Sequence, residues 1–213
     1  YVLSLLTPGL VAAFDTHQFV RTLAVVDSDV ELIGDSAIEG RAIAALESLE
    51  TEPSARLEER HAATNADTIA KFLLTSGSTG QPKAVITTNR MLCSNAAMLR
   101  QAMPFVVSEP PILVDWLPWN HTFGGSHNIG LVLSNGGTLY IDDGKPTPAG
   151  ISTTIANLRE ISPTVYFNVP KGFEMIAQRL QFDGELRRSF YRRLRACFFA
   201  GASLAQHTWD ALD

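Results

Sequence analysis

Thr75-Ser76-Gly77-Ser78-Thr79-Gly80-Gln81-Pro82-Lys83 is the stretch whose reading decides the fold. An apolar run, Lys71-Phe72-Leu73-Leu74, precedes it, and a second, Ala84-Val85-Ile86-Thr87, follows. Short runs of aromatic and β-branched side chains bounded by turn residues predict two buried strands joined by a loop. Gly77 and Gly80 permit positive φ and leave backbone N–H groups uncovered, so successive amides can converge on an anion. Ser76, Ser78 and Thr79 add hydroxyl donors, and Lys83 adds a point charge that suits phosphate. A flexible Ser/Gly linker has a similar composition. This loop, however, closes on Pro82-Lys83 rather than on more Ser and Gly. Nor is it a Walker loop, in which Gly-Lys-Ser/Thr opens a helix; here Pro82 precedes the lysine and Ala84-Val85 follow it. The stretch predicts a phosphate-binding loop between two strands.

The 213 residues are 46% hydrophobic with a formal charge of -5, an ordinary globular composition with no basic excess for nucleic acid or an anionic membrane. No run reaches the roughly 18–20 apolar residues of a membrane span, and no signal peptide is visible. Cys93 and Cys197 stand far apart in apolar surroundings, which predicts reduced core thiols in a cytoplasmic protein. The chain starts without Met and stops inside a helical pattern at Trp209-Asp210-Ala211-Leu212-Asp213, so a fragment of a longer protein is expected.

Residues 1–64 alternate strand and helix patterns. Leu10 to Phe14 and Val30 to Ile33 read as strands, Phe19, Val20, Leu23 and Ala24 as a helix between them, and Ile43 with Leu46 as a further helix near Pro53. This is the pattern of a βαβ wing. In residues 65–213, Met91, Leu92, Asn95, Met98, Leu99 and Met103 recur at helical spacing, with a cap at Thr87, Thr88 or Asn89 and a methionine stripe expected in the core. Pro111 to Asp115 is a strand that enters Trp116-Leu117-Pro118-Trp119-Asn120-His121-Thr122-Phe123-Gly124-Gly125-Ser126-His127-Asn128. Aromatics, two histidines and paired glycines at a strand's end suit a cleft wall, and equally a core aromatic cluster.

Further on, Asn135-Gly136-Gly137 predicts a tight turn before a strand from Thr138 to Ile141. Asp142 and Asp143 read as a solvated strand end, since adjacent side chains diverge. Ile155, Leu158 and Ile161 belong to a helix, Thr164 to Pro170 to a strand and turn, and Cys197 to Leu204 to another strand and turn before a last helix from Ala205. Leu186, Phe190 and Leu194 form one face of a helix whose other face carries Arg187, Arg188, Arg192, Arg193 and Arg195. With no aromatics interleaved, that basic face reads as solvated. The fold class expected is α/β: alternating strands and helices, a mainly parallel sheet layered with helices.

The loop resembles the phosphate loop of the adenylate-forming superfamily, which includes acyl-CoA synthetases, luciferases and peptide-synthetase adenylation domains. That family's pattern is Thr-Ser-Gly-Ser/Thr-Thr-Gly-x-Pro-Lys-Gly-Val, and Ala84 alone departs from it. Leu117, Pro118, His121 and Gly124 match the family's Leu-Pro-x-x-His-x-x-Gly. The wording of residues 114–125 and 135–144 resembles the feruloyl-CoA synthetase branch, known from phenylpropanoid degradation. The resemblance implies an ATP-dependent acid–CoA ligase with ATP, Mg²⁺ and CoA as cofactors and a small-molecule carboxylic acid, a hydroxycinnamate such as ferulate, as substrate. A fatty acyl-CoA ligase, a peptide-synthetase adenylation domain and a non-catalytic nucleotide-binding remnant are the alternatives.

The same resemblance assigns nucleotide contacts to Thr75, Ser76, Gly77, Ser78, Thr79, Gly80 and Lys83, and to the backbone of Gly201 and Ala202. It assigns the catalytic gate to His121, and substrate contacts to His121, Phe123, Gly125, His127, Asn168 and Val169; no protein metal ligand is expected. The Tyr-Gly-x-Thr-Glu segment, the ribose-binding aspartate, the hinge and the C-terminal lysine of that family do not occur in this sequence. The expectation is therefore the central part of an N-terminal domain, without the C-terminal domain, inactive by itself and prone to self-association.

Overall fold

The computed structural model describes residues 10–13, 31–35, 42–50, 52–75 and 83–213. They divide into two units, Tyr1–Thr64 and Asn65–Asp213. In the first, β1 (Leu10–Ala13) and β2 (Glu31–Gly34) pair in parallel, Leu10 beside Glu31. Phe14 and the helix expected through Phe19, Val20, Leu23 and Ala24 lie outside the described residues. The helix expected at Ile43 and Leu46 does not form as read. Ala44 N donates to Leu32 O at 2.9 Å, which holds that segment extended against β2, and Leu46–Leu49 makes only a 3-10 turn. Helix α1 (Ala55–Ala62) begins after Pro53, with Ser54 Oγ accepting from Leu57 N at 3.3 Å as its N-cap.

The second unit opens on an antiparallel hairpin, β3 (Ile69–Thr75) and β4 (Lys83–Thr88), followed by α2 (Asn89–Ala102) and a short α3 (Phe105–Ser108). Thr88 is the cap of α2, accepting from Met91 N. Then come β5 (Ile112–Asp115), a π-helical turn over Phe123–Asn128, α4 (Ile129–Asn135) and β6 (Thr138–Ile141). Gly136 closes α4 with φ 63°, a left-handed cap that favours glycine. The chain continues through α5 (Ile151–Glu160), β7 (Val165–Asn168), α6 (Pro170–Leu180), α7 (Gly184–Tyr191), β8 (Ala196–Phe199) and α8 (Gln206–Leu212).

β5 pairs with β6 and β7 with β8, both in parallel. Thr164 joins the two pairs, its N–H donating to Ile112 O at 3.0 Å and its Oγ1 accepting from Ile112 N at 2.8 Å. Alternate side chains of the central strands then feed two cores. Val114 and Tyr166 pack with Ile155, Leu158, Phe173, Ile176, Leu186 and Phe190, while Leu113, Val165 and Phe167 pack with Val106, Leu131 and Val132. Strands covered on both faces read as unbroken apolar runs, as Ile112–Val114 and Val165–Phe167 do. Their C-terminal ends (Asp115, Ile141, Asn168 and Phe199) lie at one edge, where ligand loops of parallel sheets gather.

Four local expectations are corrected. The hairpin is not buried: Phe72, Leu74 and Ile86 are 44%, 40% and 51% exposed, because β3 and β4 pair only with each other among the described residues and one face stays uncovered. The methionine stripe is likewise a surface feature at Met91 and Met98, and only Met103, past the helix end, is buried. Cys93 and Cys197 are free and exposed, one on that uncovered helix and one on β8. Asp142 is no solvated strand end but is buried, accepting from Thr154 Oγ1 (2.5 Å), Asn157 Nδ2 (2.9 Å) and Gly144 N (2.8 Å), while Asp143 is exposed. On α7, Leu186 and Phe190 are buried and Arg187 and Arg188 exposed; Arg193 then pairs with Glu109 at 3.0 Å. Among the described residues no helix is long and apolar enough to cross a membrane.

Candidate functional site

Thr75 and Lys83 are partners at the open end of the hairpin, with Thr75 Oγ1 donating to Lys83 O at 3.4 Å, and both are exposed. The residues between them, Ser76, Gly77, Ser78, Thr79 and Gly80 included, lie outside the described residues. Antiparallel pairing thus brings the two ends of the expected phosphate loop together.

The hairpin is tied to the turn after β5 by Lys71, whose Nζ donates to Gly125 O at 2.7 Å. Backbone crowding makes that turn possible only with glycine. A Cβ at Gly125 would overlap Trp119 O, and one at Gly124 would sit 2.7 Å from Leu117 O. The other anchor is Asp115, at the end of β5. Its carboxylate accepts from Leu117 N at 3.0 Å and from Asn128 Nδ2 at 2.7 Å, so one buried side chain holds both ends of residues 116–128. Burial pushes the Asp115 carboxyl above the usual carboxylate range, against the opposing pull of the Asn128 and Leu117 hydrogen bonds.

Asp115→Ala is expected to destabilise the protein by about 2 kcal/mol, since it strands two buried donors; urea unfolding of wild type and variant checks this. The sign of the pH dependence also follows. A carboxyl whose folded pKa is raised binds its proton more tightly when folded. Its contribution to stability is therefore largest at low pH and declines as pH rises from the unfolded value through the raised one. The variant should lack that decline.

His121 is exposed at the mouth of the turn, and its Nδ1 accepts from Phe123 N at 3.3 Å. Phe123, His127 and Phe167 form an edge-to-face cluster with centroids 5.0–5.9 Å apart, and Phe167 stacks on Phe198 at 5.2 Å. Asn168 is 1% exposed and engaged at both ends of its amide. Its Oδ1 accepts from Trp116 Nε1 (3.2 Å) and Val169 N (2.8 Å), and its Nδ2 donates to Tyr166 OH (2.9 Å). It therefore positions the loops at this edge. Val169 is half-buried against the Phe167 core. Asn168 pairs with Phe199, so Ala200-Gly201-Ala202 leave the sheet beside Val169; Gly201 has φ 96°, and both it and Ala202 are exposed.

Between the hairpin, α2 and the π-helical turn lies a cleft of about 350 Å³, bordered by Leu73, Val85, Met91 and Leu92 with Ser126 and His127 opposite. The structure brings Gly125, Phe123 and His127 to one turn beside this hairpin. Sequence reasoning overlooked Lys71, Asp115, Ser126 and Asn128 as parts of the site. Lys71 and Asp115 carried a signal, each being a charged residue flanking an apolar strand run. Asn128 and Ser126 carried none, since their roles follow from partners far along the chain.

A family model described as AMP-binding enzyme matches residues 6–213. The Drosophila melanogaster long-chain-fatty-acid–CoA ligase heimdall is 29% identical over 157 residues, covering 74% of this chain and 22% of that protein. A carboxylic acid reductase of Segniliparus rugosus is 34% identical over 126 residues, covering 55% of this chain and 10% of that one. A malonyl-CoA ligase solved as a ternary product complex with methylmalonyl-CoA and AMP superposes with a TM-score of 0.65 at 21% identity, over 91% of this chain and 40% of the ligase. The chain spans about a fifth of the length of the curated fatty-acid ligase, 22%.

Proposed function

Because the chain belongs to the AMP-binding enzyme family, we propose that it is the phosphate-holding and acid-holding part of an ATP-dependent acid–CoA ligase. The observation that carries this reading is the pairing of Thr75 with Lys83 beside a cleft, with Lys71 tying that hairpin to the turn that bears His121, Phe123, Gly125 and His127. In the reaction a carboxylate oxygen attacks the α-phosphorus of ATP, the bond to pyrophosphate breaks, and the thiol of CoA then displaces AMP to leave a thioester.

Thr75, the Ser76–Gly80 amides and hydroxyls, and Lys83 would hold the β- and γ-phosphates, as anion-binding backbone and a point charge do. Mg²⁺ would neutralise those phosphates, and it keeps several waters and few protein ligands in such sites. His121, exposed at the mouth, would gate the carboxylate. Gly201, with its open left-handed backbone, and Ala202 would let a flat adenine approach. Phe123 and Val169 would wall the acid, and Asn168 would hold the wall in place from within the core.

A hydroxycinnamate such as ferulate is the proposed acid. The cleft is at the small end of the roughly 300–1,000 Å³ typical of ligand pockets, which suits a compact planar body. The second reading is a long-chain fatty acid, favoured by relatives named for that substrate. Pyrophosphate exchange by the protein that carries this chain, offered ferulate, benzoate and palmitate in turn, separates them. Exchange with palmitate alone would overturn the aromatic reading, and exchange with no acid would overturn adenylation itself.

A further inference from the structure

We propose that His127 selects acids bearing a hydroxyl on their apolar body, by offering the cleft an unprotonated Nε2. This rests on the acid-activating function proposed above. The protonation of the ring is set from Asp115 outward. When ionised, Asp115 only accepts, so the group 2.7 Å from its Oδ2 is then the Asn128 amide nitrogen. The Asn128 amide oxygen then faces His127 Nδ1 at 2.9 Å, and because a carbonyl oxygen only accepts, Nδ1 carries the proton. Asn128 is 0% and Asp115 5% exposed, so turning the amide over would set two buried acceptors against each other, with little water to relieve them. In its neutral form the ring is thereby left with its lone pair on Nε2.

Two further features direct that lone pair to a ligand. The ring is packed edge-on against Phe123 and Phe167, at 5.9 and 5.0 Å, which fixes its plane. No hydrogen bond engages Nε2 among the described residues, and His127 borders the cleft. Ser126 also borders the cleft, although its Oγ is itself buried, without a partner among the described residues. A ligand hydroxyl in the cleft would donate to Nε2, while Leu73, Val85, Met91 and Leu92 hold the apolar body. A plain hydrocarbon would leave Nε2 unpaired.

The test compares cinnamate with its para-hydroxylated counterpart in acid-dependent pyrophosphate exchange by the protein that carries this chain. Wild type should favour the hydroxylated acid in kcat/KM, and in His127→Phe that preference should fall about tenfold, the size of one lost hydrogen bond. No preference in wild type, or an equal loss on both acids, would overturn the selection while leaving the ligase reading standing. Activity with palmitate and with neither aromatic acid would overturn both the aromatic reading and the selection. Nitrogen-15 spectra of wild type give a readout independent of catalysis and of the variant's folding. They should show Nδ1 of His127 protonated and Nε2 bare, and the reverse assignment would overturn the proposal.

Discussion

Lys83→Ala is expected to lower acid-dependent pyrophosphate exchange roughly 10- to 150-fold while leaving the unfolding midpoint close to wild type. The ammonium is exposed at the first residue of β4, and among the described residues no hydrogen bond or ion pair holds it, so the fold has little to lose. What is lost is a charge-assisted contact to phosphate, worth about 1.5–3 kcal/mol. Lys83→Arg should recover part of the activity, because the charge persists although its geometry does not. Equal exchange in wild type and Lys83→Ala would contradict the role given to this residue, and equal ATP affinity in the two, with no exchange in either, would favour a nucleotide-binding remnant over a ligase.

The second large effect falls on stability. Gly125→Ala is expected to cost about 3 kcal/mol, at the upper end of overpacking penalties. The new methyl would overlap the Trp119 carbonyl oxygen and lie 2.6 Å from the carbonyl carbon, and neither atom belongs to a flexible side chain that could move aside. The turn would have to open, and the carbonyl that Lys71 bonds at 2.7 Å would move with it. Gly130→Ala is the matched control: it lies within α4, has open space around its added carbon, and should be neutral or stabilising by up to about 1 kcal/mol. Urea titrations of the two variants giving equal midpoints would remove the steric reason for the Gly124-Gly125 pair.

Much of the architecture was legible in residue order because local rules and tertiary packing agreed. Val165-Tyr166-Phe167 reads as a strand and is one, since a strand covered on both faces must be apolar throughout. Gly136 ends α4 where an Asn-Gly-Gly turn was expected, because only that φ closes the helix there. The misreadings arose where the outcome depended on what lies across from a residue. Ile43 and Leu46 have helical spacing, yet Ala44 is taken by the edge of β2. Met91 and Met98 have core-like spacing, yet the face they occupy is uncovered. Asp142 looks like any acidic strand end until three donors converge on it.

The phosphate loop divides in the same way. Its residue types alone gave reason to expect an anion-binding stretch between two strands, because glycine's freedom, hydroxyl donors and a lysine charge are properties of the residues themselves. Only the tertiary structure decided that the two strands pair antiparallel, setting Thr75 against Lys83. It also decided that Lys71 reaches 54 residues along the chain to Gly125, and that Asp115 holds Asn128, whose amide oxygen meets His127 Nδ1. Those facts rest on contacts between residues distant in sequence, which no local pattern encodes.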